Sequence, residues 1–289
     1  MQKTLRNFVL SVTVKQHGAE LCGLKAADGT EYMWQADPAI WGRHAPLLFP
    51  IVGKLVQGRY LYDGKKYEIT TPHGFARDTD FELVAATEST LSYRLQATKE
   101  TWKQYPFDFT LLRHYRLLEA GVEVTTEVTN PGPVVMPFSI GEHPAFSLKW
   151  GAGDKVEDYA LQFEKPERLV AHLLDANGLL SDQSERLLSN QRVLPLRSNM
   201  FDRDALIFLK LNSRSISLCS RRHARRVTME FSGYPSLGIW AKPGAPFVCI
   251  EPWYGYADPA THNGELLQKP GIILLEPGKT FTCTWRIGI

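Results

Sequence analysis

The sequence predicts an all-β protein, built as a large antiparallel sandwich or barrel. Short candidate strands recur along the chain, and they are separated by turns drawn from 22 glycines and 18 prolines. Helical periodicity is weak, and no amphipathic helix of three turns is evident. We expect only short turns near residues 38–48 and 200–206.

Hairpin signals support this fold class. The stretch LYDGKKYEI at 61–69 carries Asp63-Gly64 between two arms that contain tyrosine, and ADGTEYMW at 27–34 repeats the device at Asp28-Gly29. Asp-Gly pairs favour the tight turns that join antiparallel strands. In GVEVTTEVTNPG at 121–132, alternating valines and threonines stop at a Pro-Gly pair, which predicts a half-buried strand and a turn.

Further strands are predicted at 215–220, 227–231 and 246–251, and at the carboxyl-terminal end of the chain. The run 8–14 also predicts a strand, since it is short for a signal sequence and no small-residue cleavage site follows it. The segment 151–200 is polar and irregular, and it is interpreted as long loops and insertions. No linker or repeat interrupts the chain, so a single domain over residues 1–289 is expected.

Composition narrows the function classes. Of 289 residues, 44% are hydrophobic and 22% charged, and 33 basic against 31 acidic residues leave a net charge of +2. This balance argues against nucleic acid or a membrane surface as a partner. The four cysteines lack the C-x-x-C spacing of zinc or redox sites, so reduced thiols and a cytoplasmic location are expected. The sequence leaves monomer and homodimer open.

Several apparent motifs lack the context that their chemistry needs. GKT at 278–280 has isoleucine where a phosphate-binding loop requires glycine, and no H-E-x-x-H sequence occurs. Neither a catalytic metal nor a cofactor is expected. The arginine-rich stretch SRRHARRV at 220–227 could form a phosphate or nucleic-acid patch. A solvated hairpin tip is the favoured reading, because no aromatic residues interleave with the charges.

Three other stretches carry residues suited to acid–base chemistry at a sugar. His143 lies in SIGEHPAF beside Pro144, where the chain must leave a regular strand, and His73 precedes a glycine in TPHGFARD. Glu251 ends an apolar run in CIEPWYGYAD and is followed by Trp253. A carboxylate at the end of a buried strand has a raised pKa and suits a general base. An aromatic face beside polar groups suits a sugar ring, although core packing explains each aromatic residue equally well.

The ordered set of these stretches resembles the aldose 1-epimerase (galactose mutarotase) superfamily, and most closely its LacX-like branch. The resemblance runs nearly end to end and rests on the segments GAELCGLKAADGTEYMW (18–34), LFPIVGKLVQGRYLYDGKKYEITTPHGFARD (48–78), GEHPAF (141–146), FDRDALIF (201–208), LGIW (237–240) and CIEPWYG (249–255). It implies a galactose mutarotase-like β-supersandwich and interconversion of the α and β anomers of a free aldose, without a cofactor.

The resemblance also implies roles for individual residues. Glu251 matches the base that takes the proton of the C1 hydroxyl, and His143 matches the acid that protonates the ring oxygen. His73 matches a second histidine that hydrogen-bonds the sugar. Asp204 matches a hydroxyl-binding aspartate, with Asp202 as the alternative register.

The chain departs from the better-known mutarotases at Lys54, where they carry arginine. Lysine supplies a positive charge but not a planar guanidinium that donates two parallel hydrogen bonds. The sequence therefore leaves the preferred sugar open. Arg77 and Trp253 are also expected among the substrate-binding residues.

Three alternatives stay open. A hexose-6-phosphate 1-epimerase would use the same acid and base, with Arg77, Arg59 or the cluster at 221–226 holding the phosphate. A carbohydrate-binding protein of the same fold with little turnover is a second alternative. A glycosidase is a third, weaker one, because its chemistry uses two carboxylates rather than a histidine and a glutamate.

Overall fold

The computed structural model describes residues 1–289, and it consists of strands with very little helix. The strands are β1 (Gln2–Arg6), β2 (Leu10–Lys15), β3 (Glu20–Ala26), β4 (Leu47–Leu48), β5 (Arg59–Tyr62), β6 (Lys65–Glu68), β7 (Glu82–Ala86), β8 (Thr90–Gln96), β9 (Thr110–Leu118), β10 (Gly121–Thr129), β11 (Met136–Phe138), β12 (Ile140–Glu142), β13 (Ala145–Ser147), β14 (Tyr159–Glu167), β15 (Val170–Leu174), β16 (Leu180–Arg186), β17 (Gln191–Pro195), β18 (Leu206–Phe208), β19 (Ser215–Ser220), β20 (Arg226–Glu230), β21 (Ser236–Trp240), β22 (Phe247–Tyr254), β23 (Ile273–Leu275) and β24 (Thr280–Gly288). The helices are α1 (Lys99–Gln104) and four 3₁₀ turns, at Val56–Gly58, Ala76–Asp78, Val156–Asp158 and Leu266–Gln268. No helix is long and apolar enough to cross a membrane.

Two large antiparallel sheets form a β-sandwich, which confirms the predicted fold class. The nine-stranded sheet has the order β17-β14-β19-β20-β24-β10-β9-β8-β7. The eight-stranded sheet has the order β16-β15-β18-β21-β22-β12-β4, with β13 also pairing with β22. Three smaller sheets, β1-β2-β3, β5-β6 and β11-β23, complete the fold.

The core lies between the two large sheets. Strand residues alternate between the two faces of a sheet, so every second side chain enters the core. Val124 and Leu218 contribute from the nine-stranded sheet, and Leu237 and Ile250 contribute from the eight-stranded sheet, all to one cluster of 69 buried residues. The other face of the eight-stranded sheet is therefore free to carry a site. The single domain expected over 1–289 stays a prediction.

The hairpin predictions are confirmed. Tyr62 pairs with Lys65 across the turn at Asp63-Gly64. Both turn residues have a positive φ, as a tight two-residue hairpin of this type requires. The stretch at 221–225 is the tip between β19 and β20. The segments 38–48 and 200–206 contain turns and no helix.

The interpretation of 151–200 as loops and insertions was wrong. It contains four strands, β14 to β17, at the ends of both large sheets. The residues of β16 are half-buried or exposed throughout, so that strand shows no alternation of apolar and polar residues that a sequence could reveal. The sequence analysis did not predict α1, a six-residue helix that begins with a capping box between Thr98 and Thr101.

A buried ion pair joins the two sheets. Arg113 of β9 donates hydrogen bonds of 2.8 and 2.7 Å to the two carboxylate oxygens of Glu142 on β12. The same guanidinium donates to the hydroxyl groups of Tyr115 and Thr126, so several of its hydrogen-bonding groups are used without solvent. Both partners are almost completely buried, and Glu142 directly precedes His143.

Replacing Glu142 with leucine should strongly destabilise the protein, because it leaves the Arg113 charge buried without a partner. We expect the free energy of unfolding in urea to fall by about 3–5 kcal/mol. The matched control is Glu82→Leu, which removes the partner of Arg94 in an exposed ion pair and should cost no more than about 1 kcal/mol. Equal losses of unfolding free energy in the two variants would show that the buried ion pair contributes no more to stability than the exposed one.

Candidate active site

The residues predicted from the sequence meet in a cavity on the outer face of the eight-stranded sheet. The cavity has a volume of about 230 Å³ and is lined by Trp41, Gly53, Lys54, Pro72, His73, Arg77, His143, Leu174, Gly178, Asp204, Ala205, Ile207, Trp240, Glu251, Trp253 and Ala257. All seven predicted site residues are in this set. Their roles in binding and catalysis stay predictions.

His143 and Glu251 form the centre of the site. Glu251 is on β22, where Ile250 enters the core and Glu251 points to the opposite face. His143 follows β12 and is likewise directed away from the core, since Glu142 points inward to Arg113. The His143 Nε2 atom lies 3.1 Å from the Glu251 Oε2 atom, which is hydrogen-bonding distance.

Burial shifts the pKa values of these two groups in opposite directions. Removal from water, and then the nearby charge of Asp204, raises the pKa of the Glu251 carboxyl well above its usual value. Burial lowers the pKa of His143 to about 3. Both shifts disfavour charge. A neutral pair and an imidazolium–carboxylate pair contain the same protons, so one proton can move between the two atoms without exchange with solvent.

Two tryptophans hold the His143 ring. The Trp41 ring stacks on it, with centroids 5.1 Å apart and an interplanar angle of 26°. Trp240 meets it edge-on, with centroids 5.7 Å apart. Neither tryptophan was predicted as a site residue. Trp240 ends a strand in the segment LGIW, whereas Trp41 lies in an irregular stretch whose pattern carries no signal of its position.

His73 is held by the loop at 49–53. The Nδ1 atom of its ring accepts a hydrogen bond of 3.0 Å from the Gly53 N–H. The backbone N–H of His73 donates a hydrogen bond of 2.8 Å to the Gly53 carbonyl. An accepting Nδ1 leaves the ring hydrogen on Nε2. Burial lowers the pKa of His73 well below its usual value, and His143 adds to this effect, so the ring stays neutral. His73 also has a φ of 68°, a strained value for a residue other than glycine.

Trp253 forms one wall of the cavity because two glycines leave room for its indole ring. A Cβ atom on Gly141 would lie 2.5 Å from the indole, and one on Gly238 would lie 2.4 Å from it. The Trp253 Nε1 atom is buried and has no hydrogen-bond partner, and the same is true of the Glu251 Oε1 atom. Buried polar groups are normally paired, so these atoms are available to a polar ligand.

Three charged residues complete the lining. Asp204 lines the cavity and Asp202 does not, and Asp204 stays the predicted hydroxyl ligand. The Lys54 ammonium donates a hydrogen bond of 2.9 Å to the Asn177 carbonyl. Arg77 lies 3.6 Å from Asp78 through its Nε atom, and burial lowers its pKa to about 10, so it remains charged at neutral pH.

Other candidate arginines lie outside the cavity. Arg222 and Arg225 in the hairpin tip at 221–225 bind acceptors in the loop at 150–154, and Arg225 also contacts Asp28. The stretch is a hairpin tip, as the favoured interpretation predicted, but these two arginines are paired with protein acceptors and not left to solvent. Arg59 also does not line the cavity.

One group of side chains in the site could hold a metal ion. The ligand atoms of His143, Cys249 and Glu251 lie within 4.8 Å of one another. Burial raises the pKa of the Cys249 thiol well above its usual value. Because metals bind the thiolate, this burial opposes metal binding.

The raised pKa of Glu251 should make its replacement stabilising at neutral pH. The folded chain holds this proton more tightly than the unfolded chain, so the contribution to stability is complete below the ordinary pKa and is lost as pH rises. Glu251→Gln should therefore raise the free energy of unfolding by about 1–2 kcal/mol near pH 7. This gain in unfolding free energy should disappear at about pH 4. Urea unfolding of both proteins between about pH 4 and pH 7 measures this gain. A gain independent of pH would contradict the raised pKa of Glu251.

Comparison with known proteins shows the family to which this chain belongs. Residues 1–287 match the family model described as Aldose 1-epimerase. The plasmid-encoded LacX protein of Lactococcus lactis subsp. lactis is 33% identical over 293 residues, which cover 99% of this chain and 98% of LacX. A galactose mutarotase related enzyme from Lactobacillus acidophilus superposes with a TM-score of 0.94 at 35% identity, covering 100% of this chain and 97% of that one.

A more distant relative comes from Escherichia coli (strain K12). It is provisionally named a glucose-6-phosphate 1-epimerase, and it is 25% identical over 254 residues, covering 82% of this chain and 77% of that protein. The match over nearly the whole chain shows that this protein belongs to the aldose 1-epimerase family, whose fold and membership support a sugar epimerase or mutarotase function.

Proposed function

We propose that the protein is a mutarotase that interconverts the α and β anomers of a free, neutral hexose such as glucose or galactose. The observation that carries this proposal is the 3.1 Å contact between His143 Nε2 and Glu251 Oε2, inside a cavity lined by polar groups and tryptophan. Anomer exchange needs one group that accepts a proton and one that donates a proton, and this pair contains both. The sugar is the only partner that the proposal requires.

The proposed reaction begins with the proton on His143 and the charge on Glu251. The Glu251 carboxylate takes the proton of the C1 hydroxyl while His143 protonates the ring oxygen, and the bond between C1 and the ring oxygen breaks. The product is an open-chain aldehyde, with Glu251 protonated and His143 neutral. Rotation about the C1–C2 bond and reversal of the same transfers close the ring as either anomer.

The stacked and edge-on tryptophans support the role of His143 as the acid. Trp41 and Trp240 fix the plane of the imidazole, so its Nε2 atom has a defined direction toward the cavity. A fixed donor reduces the loss of freedom in reaching the transition state. His73, with its hydrogen on Nε2, is placed to donate to the same sugar.

The remaining lining suits a hexose. The indole of Trp253 offers an apolar face for the C–H groups of the ring. Its unpaired N–H, the free Glu251 Oε1 atom and the Asp204 carboxylate offer one donor and two acceptors for hydroxyl groups. The four cysteines are unpaired. The cytoplasmic location stays a prediction.

Polarimetry of freshly dissolved α-glucose and α-galactose tests this proposal, after subtraction of the spontaneous rate. The protein should accelerate the change in rotation, and Glu251→Gln and His143→Asn should each lower kcat by about 10²- to 10⁴-fold because each removes one proton-transfer group. Glu276→Gln, an exposed site, is the matched control and should retain full activity. Full activity in Glu251→Gln would show that the assigned base is wrong, and sugar binding without acceleration would favour a binding protein.

A hexose 6-phosphate is the second candidate substrate, and the position of Arg77 favours it. The C6 group of a pyranose is attached beside the ring oxygen, which the proposal places at His143. His73 lies next to His143, with ring centroids 5.5 Å apart, and the Arg77 charge adds to the burial that lowers the pKa of both histidines. Arg77 also lines the cavity that holds both histidines, which supports it as a ligand for a phosphate on C6.

The same assay with glucose 6-phosphate distinguishes the two substrates. If Arg77 binds the phosphate, glucose 6-phosphate should have a higher kcat/KM than glucose, and Arg77→Ala should remove this advantage, about 10- to 100-fold. Arg59→Ala, an arginine outside the cavity, is the control. An Arg77→Ala variant that treats both sugars as the wild type does would assign the protein to neutral hexoses.

A further inference from the structure

We propose that Asp258, a residue outside the catalytic cavity, is a positioning residue that fixes the direction of the His73 ring. This inference rests on the proposed mutarotase function, in which His73 donates a hydrogen bond to the sugar. Asp258 is completely buried and is not among the residues that line the cavity. It acts on His73 through the backbone segment 53–56, which begins with Gly53.

Two hydrogen bonds attach Asp258 to the segment 53–56. The Asp258 N–H donates a hydrogen bond of 2.9 Å to the Lys54 carbonyl. The Asp258 Oδ2 atom accepts a hydrogen bond of 2.9 Å from the Val56 N–H. Residues 53–55 belong to no strand or helix, so their backbone groups need partners from elsewhere in the chain. Asp258 therefore holds the segment through both a backbone acceptor and a backbone donor.

Close packing attaches the first residue of the segment to the same part of the chain. Ala257 directly precedes Asp258, and a Cβ atom on Gly53 would lie 2.6 Å from the Ala257 Cα atom. Gly53 has a φ of 72°, a value that favours glycine. The two backbones are thus in contact without a side chain between them. A shift of the chain at 257–258 would therefore move Gly53 as well.

Gly53 transmits this constraint to His73. The Gly53 N–H donates to the ring Nδ1 atom at 3.0 Å, and the Gly53 carbonyl accepts from the His73 backbone N–H at 2.8 Å. The first bond selects the tautomer with hydrogen on Nε2. The His73 φ of 68° is strained, and a strained conformation persists only where its surroundings hold it. The direction of the Nε2 hydrogen, which the proposed reaction uses, therefore depends on the position of Gly53.

Lys269 fixes the Asp258 carboxylate. The Lys269 ammonium is buried and donates hydrogen bonds of 2.6 Å to Asp258 Oδ1 and 2.8 Å to the Tyr256 carbonyl. Each carboxylate oxygen therefore has a donor of its own, Lys269 for Oδ1 and the Val56 N–H for Oδ2. His262 is a further neighbour, with its Nδ1 atom 3.5 Å from Oδ2. A buried ion pair adds little stability relative to apolar residues of similar volume, so its main consequence here is the fixed position of Oδ2.

Two double variants separate the hydrogen bond to the segment from the ion pair. Asp258→Leu/Lys269→Met removes both charges and leaves the Val56 N–H without its acceptor. Asp258→Asn/Lys269→Met is the matched control, because it removes the same charges and keeps an amide oxygen that can accept from the Val56 N–H. Neither variant leaves a buried charge unpaired, so both should fold, which urea unfolding checks.

NMR spectra of the imidazole nitrogens, recorded on protein with isotope-labelled histidine, report the state of the His73 ring. The His73 signals are identified by their loss in His73→Ala. The wild type and the asparagine control should show a neutral ring with hydrogen on Nε2 at neutral pH. In the leucine variant the two nitrogen signals should shift toward the average of the two tautomers, because Nδ1 loses its fixed donor. Unchanged His73 signals in the leucine variant would overturn the positioning role.

Mutarotation kinetics with α-glucose test whether the positioning acts through His73. Asp258→Leu/Lys269→Met should have a kcat/KM about tenfold below that of the asparagine control, because a displaced donor no longer meets the sugar in the right geometry. In a His73→Ala background the same two variants should differ by less than about twofold, since the ring to be positioned is absent. A tenfold difference that persists without His73 would overturn the proposal and assign Asp258 to another group.

Val56→Pro is the second variant if the leucine variant does not fold. It removes the donor of the same hydrogen bond and introduces no buried charge. Val56 is the first residue of a 3₁₀ turn, and Leu55 before it is extended, which are the settings that proline accepts. The same change in the His73 signals, relative to the wild type, is expected, and unchanged signals would overturn the proposal.

A failure of the mutarotase function itself has a different signature, which is that the wild type accelerates no sugar. The NMR spectra then decide the positioning role without reference to activity. His73 signals that change in the leucine variant and stay unchanged in the asparagine control would support it. Signals that change equally in both variants, or in neither, would overturn it.

Discussion

The buried ion pair of Arg113 and Glu142 is the interaction on which the position of the site depends. It is the polar link through the apolar core from the nine-stranded sheet to the eight-stranded sheet. Two buried charges are tolerated only when their hydrogen-bonding groups are used, and Tyr115 and Thr126 supply further partners for the guanidinium. The pair thus fixes residue 142 inward, and the chain must direct His143 to the outer face, where the cavity lies.

The outer face becomes a cavity because small residues leave space beside large ones. Gly141 and Gly238 leave room for the indole of Trp253, and Gly53 leaves room for Ala257, since a Cβ atom there would lie 2.6 Å from that residue. The loop that carries Gly53 in turn positions His73 through two hydrogen bonds. The shape of the site is therefore set by backbone contacts within the sheet and its loops, and the polar side chains are added to this frame.

The sequence predicted what depends on local pattern or on residue chemistry. Asp-Gly turns and alternating strands indicated the antiparallel fold, and the unusual settings of His143 and Glu251 indicated the pair that the structure brings to 3.1 Å. It did not predict the strands within 151–200, since edge strands such as β16 lack a buried face. Nor did it place Trp41, because only the tertiary fold stacks that ring on His143.

Burial of the acid–base pair connects stability with the proposed reaction. A low-dielectric site disfavours the imidazolium–carboxylate form and favours the neutral pair, as the opposite pKa shifts of His143 and Glu251 indicate. In the proposed reaction the ring opens as the charged pair becomes neutral. The same burial that costs stability at neutral pH therefore favours the state of the pair that accompanies the open-chain sugar. A more solvated pair would lose this bias, which gives a physical reason for enclosing both groups behind Trp41 and Trp240.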